Sequence, residues 1–333
     1  MTPLIDTHQR RIKYLRISVT DRCNFRCRYC MPEGGIEWLP HESIMKYEEY
    51  LRILRICVPR GVEKVRITGG EPLVRKGLTE FIASVKGIEG LMELSLTTNG
   101  VLLKQQASAL KSAGLDRVNI SLDTLDRDKF SFITRVNAFD QVREGIMAAL
   151  KYEFSPVKIN VVAIRGFNDD EISEFAAMTL DVPVEVRFIE LMPMGCASRY
   201  GDHEVISSEE IRSVIEDRLG RMVPVEYTSG PARVFRIEGA KGKIGLIGAM
   251  SEYSFCSTCN RIRITASGNL RPCLFSDDHI DLLTPMRKGI SDIELEELIE
   301  EGVRIKQRSH GMCMGQHNIP HQGCDSLMNT IGG

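Results

Sequence analysis

The chain has 333 residues, 43% hydrophobic and 26% charged, a balance that supports a sizeable core and excludes disorder as the main state. Its 43 Lys and Arg against 45 Asp and Glu leave a formal charge of −2, so no blanket attraction to nucleic acid or anionic lipid is expected. There is no apolar run of membrane-spanning length and no apolar leader in MTPLIDTHQRRIKYLR, so the expected address is cytoplasmic, with the ten cysteines reduced.

From residue 12 to 190 short β-branched runs alternate with helical patterns. Strands are predicted at 15–20, 64–68, 93–97, 117–123, 157–164 and 185–190. Helices fall between them, among them 43–59 with Ser43 as its N-cap, 104–113 and 140–152. Strand, helix, strand, repeated, implies parallel strands with right-handed crossovers. Such units build either a doubly wound sheet or part of a β/α barrel.

Side-chain parity favours the barrel. One face carries Arg16, Ser18, Arg66, Thr68, Ser95, Thr97, Asn119, Ser121, Asp123, Lys158, Asn160, Glu185 and Arg187, with Lys64 on the same side. The other carries Leu15, Ile17, Val65, Ile67, Leu94, Leu96, Val118 and Ile120. Period-two alternation separates the two sets. A parallel strand covered on both faces is apolar throughout, so a polar, basic lumen around an anionic ligand is expected. A sheet with one wet face is the plainer alternative.

After residue 190 a Met-, Gly- and Pro-rich loop (192–202) leads to a helix near 208–219, strands at 233–238, 243–248 and 261–265, and a charged helix at 292–307. The expected fold is therefore α/β: an incomplete, open β/α barrel of about six parallel strands (1–195) with a C-terminal α+β extension (196–333).

The cysteines cluster. Cys23, Cys27 and Cys30 follow the first strand directly, at the end where β/α barrels carry their chemistry. Three thiolates on one short loop suit three corners of an iron–sulfur cubane with one iron left open. Zinc with a remote fourth ligand, or structural thiols, are the other readings. Cys256, Cys259 and Cys273 form a second trio, for which zinc (with His279 as fourth ligand) and iron–sulfur are even on spacing. Arg261 and Arg263 share one strand face beside it, which on its own reads equally as a solvated edge. Cys57, in an amphipathic run, reads as a buried small hydrophobe. No role is assigned to Cys196.

The motif Cys-x3-Cys-x2-Cys, with Tyr29 before its last cysteine, resembles that of the radical S-adenosylmethionine superfamily. Thr68-Gly69-Gly70-Glu71-Pro72 resembles the same superfamily's glycine-rich motif. The resemblance implies a 4Fe–4S cluster whose open iron chelates S-adenosylmethionine and whose electron releases a 5′-deoxyadenosyl radical. Further stretches resemble one branch, the GTP 3′,8-cyclases of molybdenum cofactor biosynthesis: LRISVTDRC from Leu15, RITGGEPL from Arg66, LTTNG from Leu96, NISLD from Asn119, RFIELM from Arg187, FCSTCNRIRIT from Phe255 and a terminal IGG. That likeness implies a second 4Fe–4S cluster on Cys256, Cys259 and Cys273, facing guanine.

It further assigns Tyr29, Gly70, Ser121 and Met192 to S-adenosylmethionine. It assigns Arg16, Arg66, Thr97, Lys158 and the segment Arg261, Ile262 and Arg263 to GTP, with Lys64 and Arg187 as further phosphate contacts. Arg261 and Arg263 are also expected to act in the step after ring closure. Gly332 and Gly333 are expected to reach into the active site. Implied partners are GTP, an electron donor such as a flavodoxin or ferredoxin, and a downstream cyclic pyranopterin monophosphate synthase. Nucleic acid and membrane are not expected; the oligomeric state is left open, with a homodimer considered. The alternatives are a peptide-maturing radical enzyme and a zinc-stabilised binding protein. His310, Cys313, His317, His321 and Cys324 have ligand-like spacing but no role in this resemblance.

Overall fold

The structure is a computed structural model and describes residues 2–225, 230–310 and 328–331. Six strands alternate with helices: β1 (Tyr14–Ser18), β2 (Lys64–Thr68), β3 (Glu93–Thr98), β4 (Arg117–Ser121), β5 (Val157–Ala163) and β6 (Val184–Glu190). Between them run α1 (Tyr47–Cys57), α2 (Leu78–Lys86), α3 (Leu103–Ser112), α4 (Arg127–Thr134), α5 (Phe139–Lys151) and α6 (Ile172–Asp181). In the sheet these six strands neighbour one another in sequence order, all parallel. A doubly wound sheet reverses its order at a switch point. With no reversal here, every right-handed crossover puts its helix on the same side. The apolar strand face, including Leu15, Ile17, Val65, Ile67, Leu94 and Leu96, is fully buried in one cluster with Ile53 and Leu54 of α1, Ile82 of α2 and Val142 of α5.

The C-terminal part supplies α7 (Ser208–Leu219), β7 (Met222–Pro224), β8 (Arg233–Ile237), β9 (Lys243–Ile247), β10 (Arg261–Ile264), β11 (Asn269–Arg271), β12 (Ile280–Asp281), α8 (Leu283–Arg287), α9 (Asp292–Arg304) and α10 (Met328–Ile331). Here the structure differs from the expected six strands. β10 joins β1 and β9 joins β6, both parallel, giving a run of eight parallel strands among the described residues. β11–β12 and β8–β7 continue the two flanks antiparallel. The sheet stays open, because β10 and β9 each pair outward with their own hairpin rather than with each other. Residues on either side of 195 thus share one sheet.

A second departure concerns Ser43, which lies in a short 3-10 turn (His41–Ser43) and does not cap α1. Met45 N donates to Ala266 O at 2.9 Å and its side chain is fully buried, which holds the segment extended. The helix therefore starts at Tyr47, with Glu49 Oε2 accepting from Lys46 N at 2.6 Å. Cys57 is buried in the core, as its amphipathic setting implied.

Candidate active site

The polar strand face lines a single cavity with about 2000 Å³ of open space, mouth included. Its wall takes Arg16 from β1, Arg66 from β2, Thr97 from β3, Ser121 from β4, Asn160 from β5, Arg187 from β6, Ile247 from β9, and Arg261 and Arg263 from β10. One cavity touching all eight parallel strands requires the sheet to curl around it.

Cys23, Cys27 and Cys30 line this cavity on the loop leaving β1. The loop is clamped by the glycines after β2. Gly70 N donates to Thr20 O at 2.7 Å and Glu71 N to Arg22 O at 2.8 Å. A Cβ on Gly70 would stand 2.4 Å from Arg22 O and 2.6 Å from Asp21 O, so two backbones meet where only glycine fits. Glu71 is buried and accepts from Thr98 Oγ1 (2.8 Å), Asn99 N (2.7 Å) and Leu73 N (3.0 Å). Burial raises its carboxyl to about 7 against those bonds. Burial also pushes the Cys23 thiol up to about 12, and burial together with the neighbouring thiols raises Cys27 and Cys30. Three half-buried thiols that oppose one another's ionisation fit a cationic iron–sulfur group, which takes its ligands as thiolates. Among the described residues no group of three His, Cys, Asp or Glu forms a single-ion site.

Cys256, Cys259 and Cys273 line the same cavity. Cys256 and Cys259 precede β10, whereas Cys23 follows β1, and these strands are parallel neighbours with Tyr14 opposite Arg261 and Ile17 opposite Ile264. The two thiol sets therefore lie at opposite ends of a five-residue strand, roughly 16 Å long at ~3.3 Å per residue. Burial opposes ionisation of Cys259, but Arg261 and Lys306 overcome it and bring the thiol down to about 6. This trio also fits a cluster that needs thiolates.

Between the two ends, register sets Arg263, Arg16 and Arg66 side by side on β10, β1 and β2. Burial and repulsion from neighbouring arginines lower all three guanidiniums, Arg66 to about 9 and Arg263 to about 10. Arg66 Nε and Thr97 Oγ1 are buried without a hydrogen-bond partner. A polyanion would relieve both the repulsion and the missing bonds, and Arg is the side chain that grips phosphate bidentately. Arg187 joins from β6, beside Gly245 of β9, where a Cβ would stand 3.0 Å from Arg187 Cγ.

Tyr29, Gly70, Ser121 and Met192 all line the cavity. Lys158 and Ile262 do not. Lys158 is buried beside Glu185, with Nζ 3.0 Å from Oε1, and Ile262 points its side chain into the apolar core. Lys64 also lies off the wall and pairs with Glu93 at 3.6 Å. His279 is exposed, with Nδ1 2.9 Å from Asp277 O. Gly332, Gly333, Cys313, His317, His321 and Cys324 lie outside the described residues. His310 lines the cavity, stacked on Phe275 with ring centroids 4.3 Å apart.

Four acidic groups shape the site without having been singled out for it. Tyr29 OH donates to Asp123 Oδ2 at 2.6 Å, and Val162 N donates to Asp123 Oδ1 at 2.9 Å. Burial raises Asp123 to about 6. Glu185 Oε1 also accepts from Arg187 Nε at 2.5 Å, and these two cations hold its carboxyl low against burial. Glu190, fully buried at the end of β6, accepts from Ser208 N (2.7 Å), Met250 N (2.7 Å) and Ser251 N (2.9 Å). It thereby fixes the start of α7 and the turn after β9. Glu71 does the same for the glycine loop. Parity had put Asp123 and Glu185 on the lumen face, but only the fold supplies their partners.

Comparison with known proteins sets the class first. The profile of the Radical SAM superfamily matches residues 17–179, and that of Molybdenum Cofactor Synthesis C matches residues 184–312. The fold is shared with solved structures of proteins bound to S-adenosylmethionine. Streptococcus suis SuiB bound to S-adenosylmethionine superposes with a TM-score of 0.59 at 16% identity, over 95% of this chain and 74% of that one. The structure of histidine-tagged anSMEcpe with bound AdoMet gives 0.61 at 13% identity, over 92% and 81%.

The sequence relatives are narrower. The GTP 3′,8-cyclase of Pelotomaculum thermopropionicum is 49% identical over 312 residues, 93% of this chain and 96% of that protein. That of Heliobacterium modesticaldum is 48% identical over 334 residues, 99% and 100%. The chain belongs to the GTP 3′,8-cyclase family of radical S-adenosylmethionine enzymes. Among the described residues no helix is long and apolar enough to cross a membrane.

Proposed function

We propose that this chain converts GTP to (8S)-3′,8-cyclo-7,8-dihydroguanosine 5′-triphosphate, the first step of molybdenum cofactor biosynthesis. One observation carries the reading: two trios of thiols end one cavity, and arginines from separate strands stand between them. Cys23, Cys27 and Cys30 would hold the 4Fe–4S cluster, with Tyr29, Gly70, Ser121 and Met192 around S-adenosylmethionine. Cys256, Cys259 and Cys273 would hold a second 4Fe–4S cluster toward the guanine. Bound there, these groups would supply one-electron reductive cleavage of S-adenosylmethionine and, through it, removal of the ribose 3′ hydrogen.

The chain's own residues do the rest. Arg16, Arg66, Arg187, Arg261 and Arg263 take the triphosphate, and Lys158 completes that set if Glu185 releases it. Thr97 offers an unpartnered hydroxyl to the nucleotide. Asp123 fixes the Tyr29 ring at the end of its hydrogen bond. Phe25, Met31, Leu122 and Phe130 line the first thiol end with hydrocarbon. An alkyl radical survives only where water and stray hydrogen donors are excluded. Met328 lines the cavity and Ile331 is buried among Leu191, Met194, Met250 and Phe275. The last described turn, Met328–Ile331, thus stands at the cavity.

The division of labour follows the chain. Residues up to 195 supply six of the eight parallel strands and the first thiol set, and the later part of the chain adds β9 and β10, the second thiol set, Arg261 and Arg263. The product would pass to a cyclic pyranopterin monophosphate synthase. The test is anaerobic incubation of cluster-loaded protein with S-adenosylmethionine, dithionite and GTP. Wild type is expected to form 5′-deoxyadenosine only when GTP is present, and Cys27→Ser to form none. GTP-independent or absent formation in the wild type would reject the reading.

A further inference from the structure

The loop bearing Cys23, Cys27 and Cys30 turns its thiols to the cavity and its arginines to solvent. Arg26 is exposed, and Arg28 lies over the Phe132 ring, its guanidinium 3.9 Å from the centroid. Phe132, near the end of α4, is 53% exposed, a large apolar side chain left in water. Its ring stands 6.1 Å from that of Phe167. Burial raises the phenol of the half-buried Tyr200, and the charges of Arg199, Arg28 and Arg135 act against that rise. Arg28 and Arg135 also brace the loop: Arg28 Nε donates to Phe132 O at 2.9 Å, and Arg135 Nη1 to Arg26 O at 2.8 Å. Arg26 and Arg199 lie at the solvent edge of the group. Asp170 pairs with Lys129 at 2.7 Å and Glu204 accepts from Gly201 N at 2.7 Å, while Asp128, one turn before Phe132 on α4, is exposed. A chain of net charge −2 thus gathers arginines on the outside of the loop whose inside carries three thiols, with Arg28 lying over the exposed Phe132.

We propose that this face is the docking surface of a small acidic one-electron carrier protein. The proposal rests on the function given above. That reaction consumes two electrons per turnover: one cleaves S-adenosylmethionine reductively, and one, with a proton, quenches the radical left after ring closure. The nucleotide's lost 3′ hydrogen leaves on 5′-deoxyadenosine, so the product keeps the mass of GTP. Both electrons must come from outside the chain. The carrier's reduced flavin or iron–sulfur centre loses one electron per encounter, and the cluster on the other side of the loop gains it. The surface has the composition that recognises such a partner. Arg and aromatic side chains are enriched at interface hot spots. A one-sign patch steers an oppositely charged protein and makes its association salt-sensitive.

The experiment uses the anaerobic holoenzyme and an acidic flavodoxin as probe. Calorimetry gives the affinity, and stopped-flow bleaching of the flavodoxin hydroquinone gives the electron-transfer rate. For Arg26→Glu with Arg199→Glu, affinity is expected to fall about tenfold or more and its salt dependence to flatten, since close charge pairs couple by roughly 1.5 kcal/mol upward. Phe132→Ser is expected to weaken binding at every salt concentration. In all variants, dithionite-driven 5′-deoxyadenosine formation with GTP should equal wild type. Unchanged carrier affinity with dithionite activity intact would overturn the docking proposal alone. Loss of dithionite activity in the wild type would overturn the function and this proposal with it. A variant that changes sedimentation but not carrier affinity would assign the face to a second copy of the chain and overturn the proposal.

Discussion

Glu185 and Glu71 show how single buried carboxylates organise the site. Glu185 sets one negative charge between Arg187 and Lys158, whose ammonium is pushed down to about 6 by burial and by Arg187. Removing one partner from a buried ion group strands the others, at a cost of about 3–5 kcal/mol. Glu185→Gln is therefore expected to lower the unfolding free energy on that scale, and GTP to restore more stability to the variant than to wild type. Urea unfolding with and without GTP reads both effects, and equal midpoints for the two proteins would contradict the account. Glu71 titrates near 7 in the fold against an ordinary 4.5. The native state therefore holds this proton more tightly than the unfolded chain does. Stability from this group is full below 4.5 and is lost as pH rises through about 7. Wild type should lose stability relative to Glu71→Gln between about pH 5 and about pH 8, a difference that denaturant midpoints at the two ends would reveal.

At the scale of elements, the lumen face of β1 to β6 was legible because alternation is a local property. Arg16 and Ile17 point opposite ways in any strand. Partnership was not legible, because pairing is non-local. Nothing in RIRI announces that β10 leaves the C-terminal region to lie beside β1, yet that register aligns Arg263 with Arg16. Likewise the Ser43 cap lost to a bond between Met45 and Ala266, more than 200 positions along the chain. Lys158 was read as a lumen residue from parity and a family likeness, but the neighbouring strand supplies Glu185, which holds it aside. The packing behind β10 and β11 is as specific. Gly302 in α9 meets β11 so closely that a Cβ would lie 1.7 Å from Leu270 Cδ2, and Leu270 is fully buried. Gly302→Ala should therefore cost about 1–3 kcal/mol through overpacking, despite the better helix propensity of alanine. Thermal unfolding would show it, and a stabilised variant would contradict this reading of the α9–β11 contact.

Across the whole molecule, one curled sheet explains why ten cysteines and a near-zero net charge are compatible with a demanding radical reaction. Six cysteines form two sets, placed at the two ends of one strand pair. The positive charge that matters is turned inward, where burial makes each arginine dependent on an anion, or is gathered on the outer face of the first cysteine loop. On the function proposed, the cavity presents the ribose C3′ of GTP to a radical generated at the first thiol set. GTP carrying deuterium at C3′ tests it most directly, in a single-turnover reaction under dithionite with the product resolved by mass. The account predicts one deuterium in 5′-deoxyadenosine and a cyclised nucleotide that has lost it. Unlabelled 5′-deoxyadenosine, formed alongside GTP that keeps its deuterium, would contradict it.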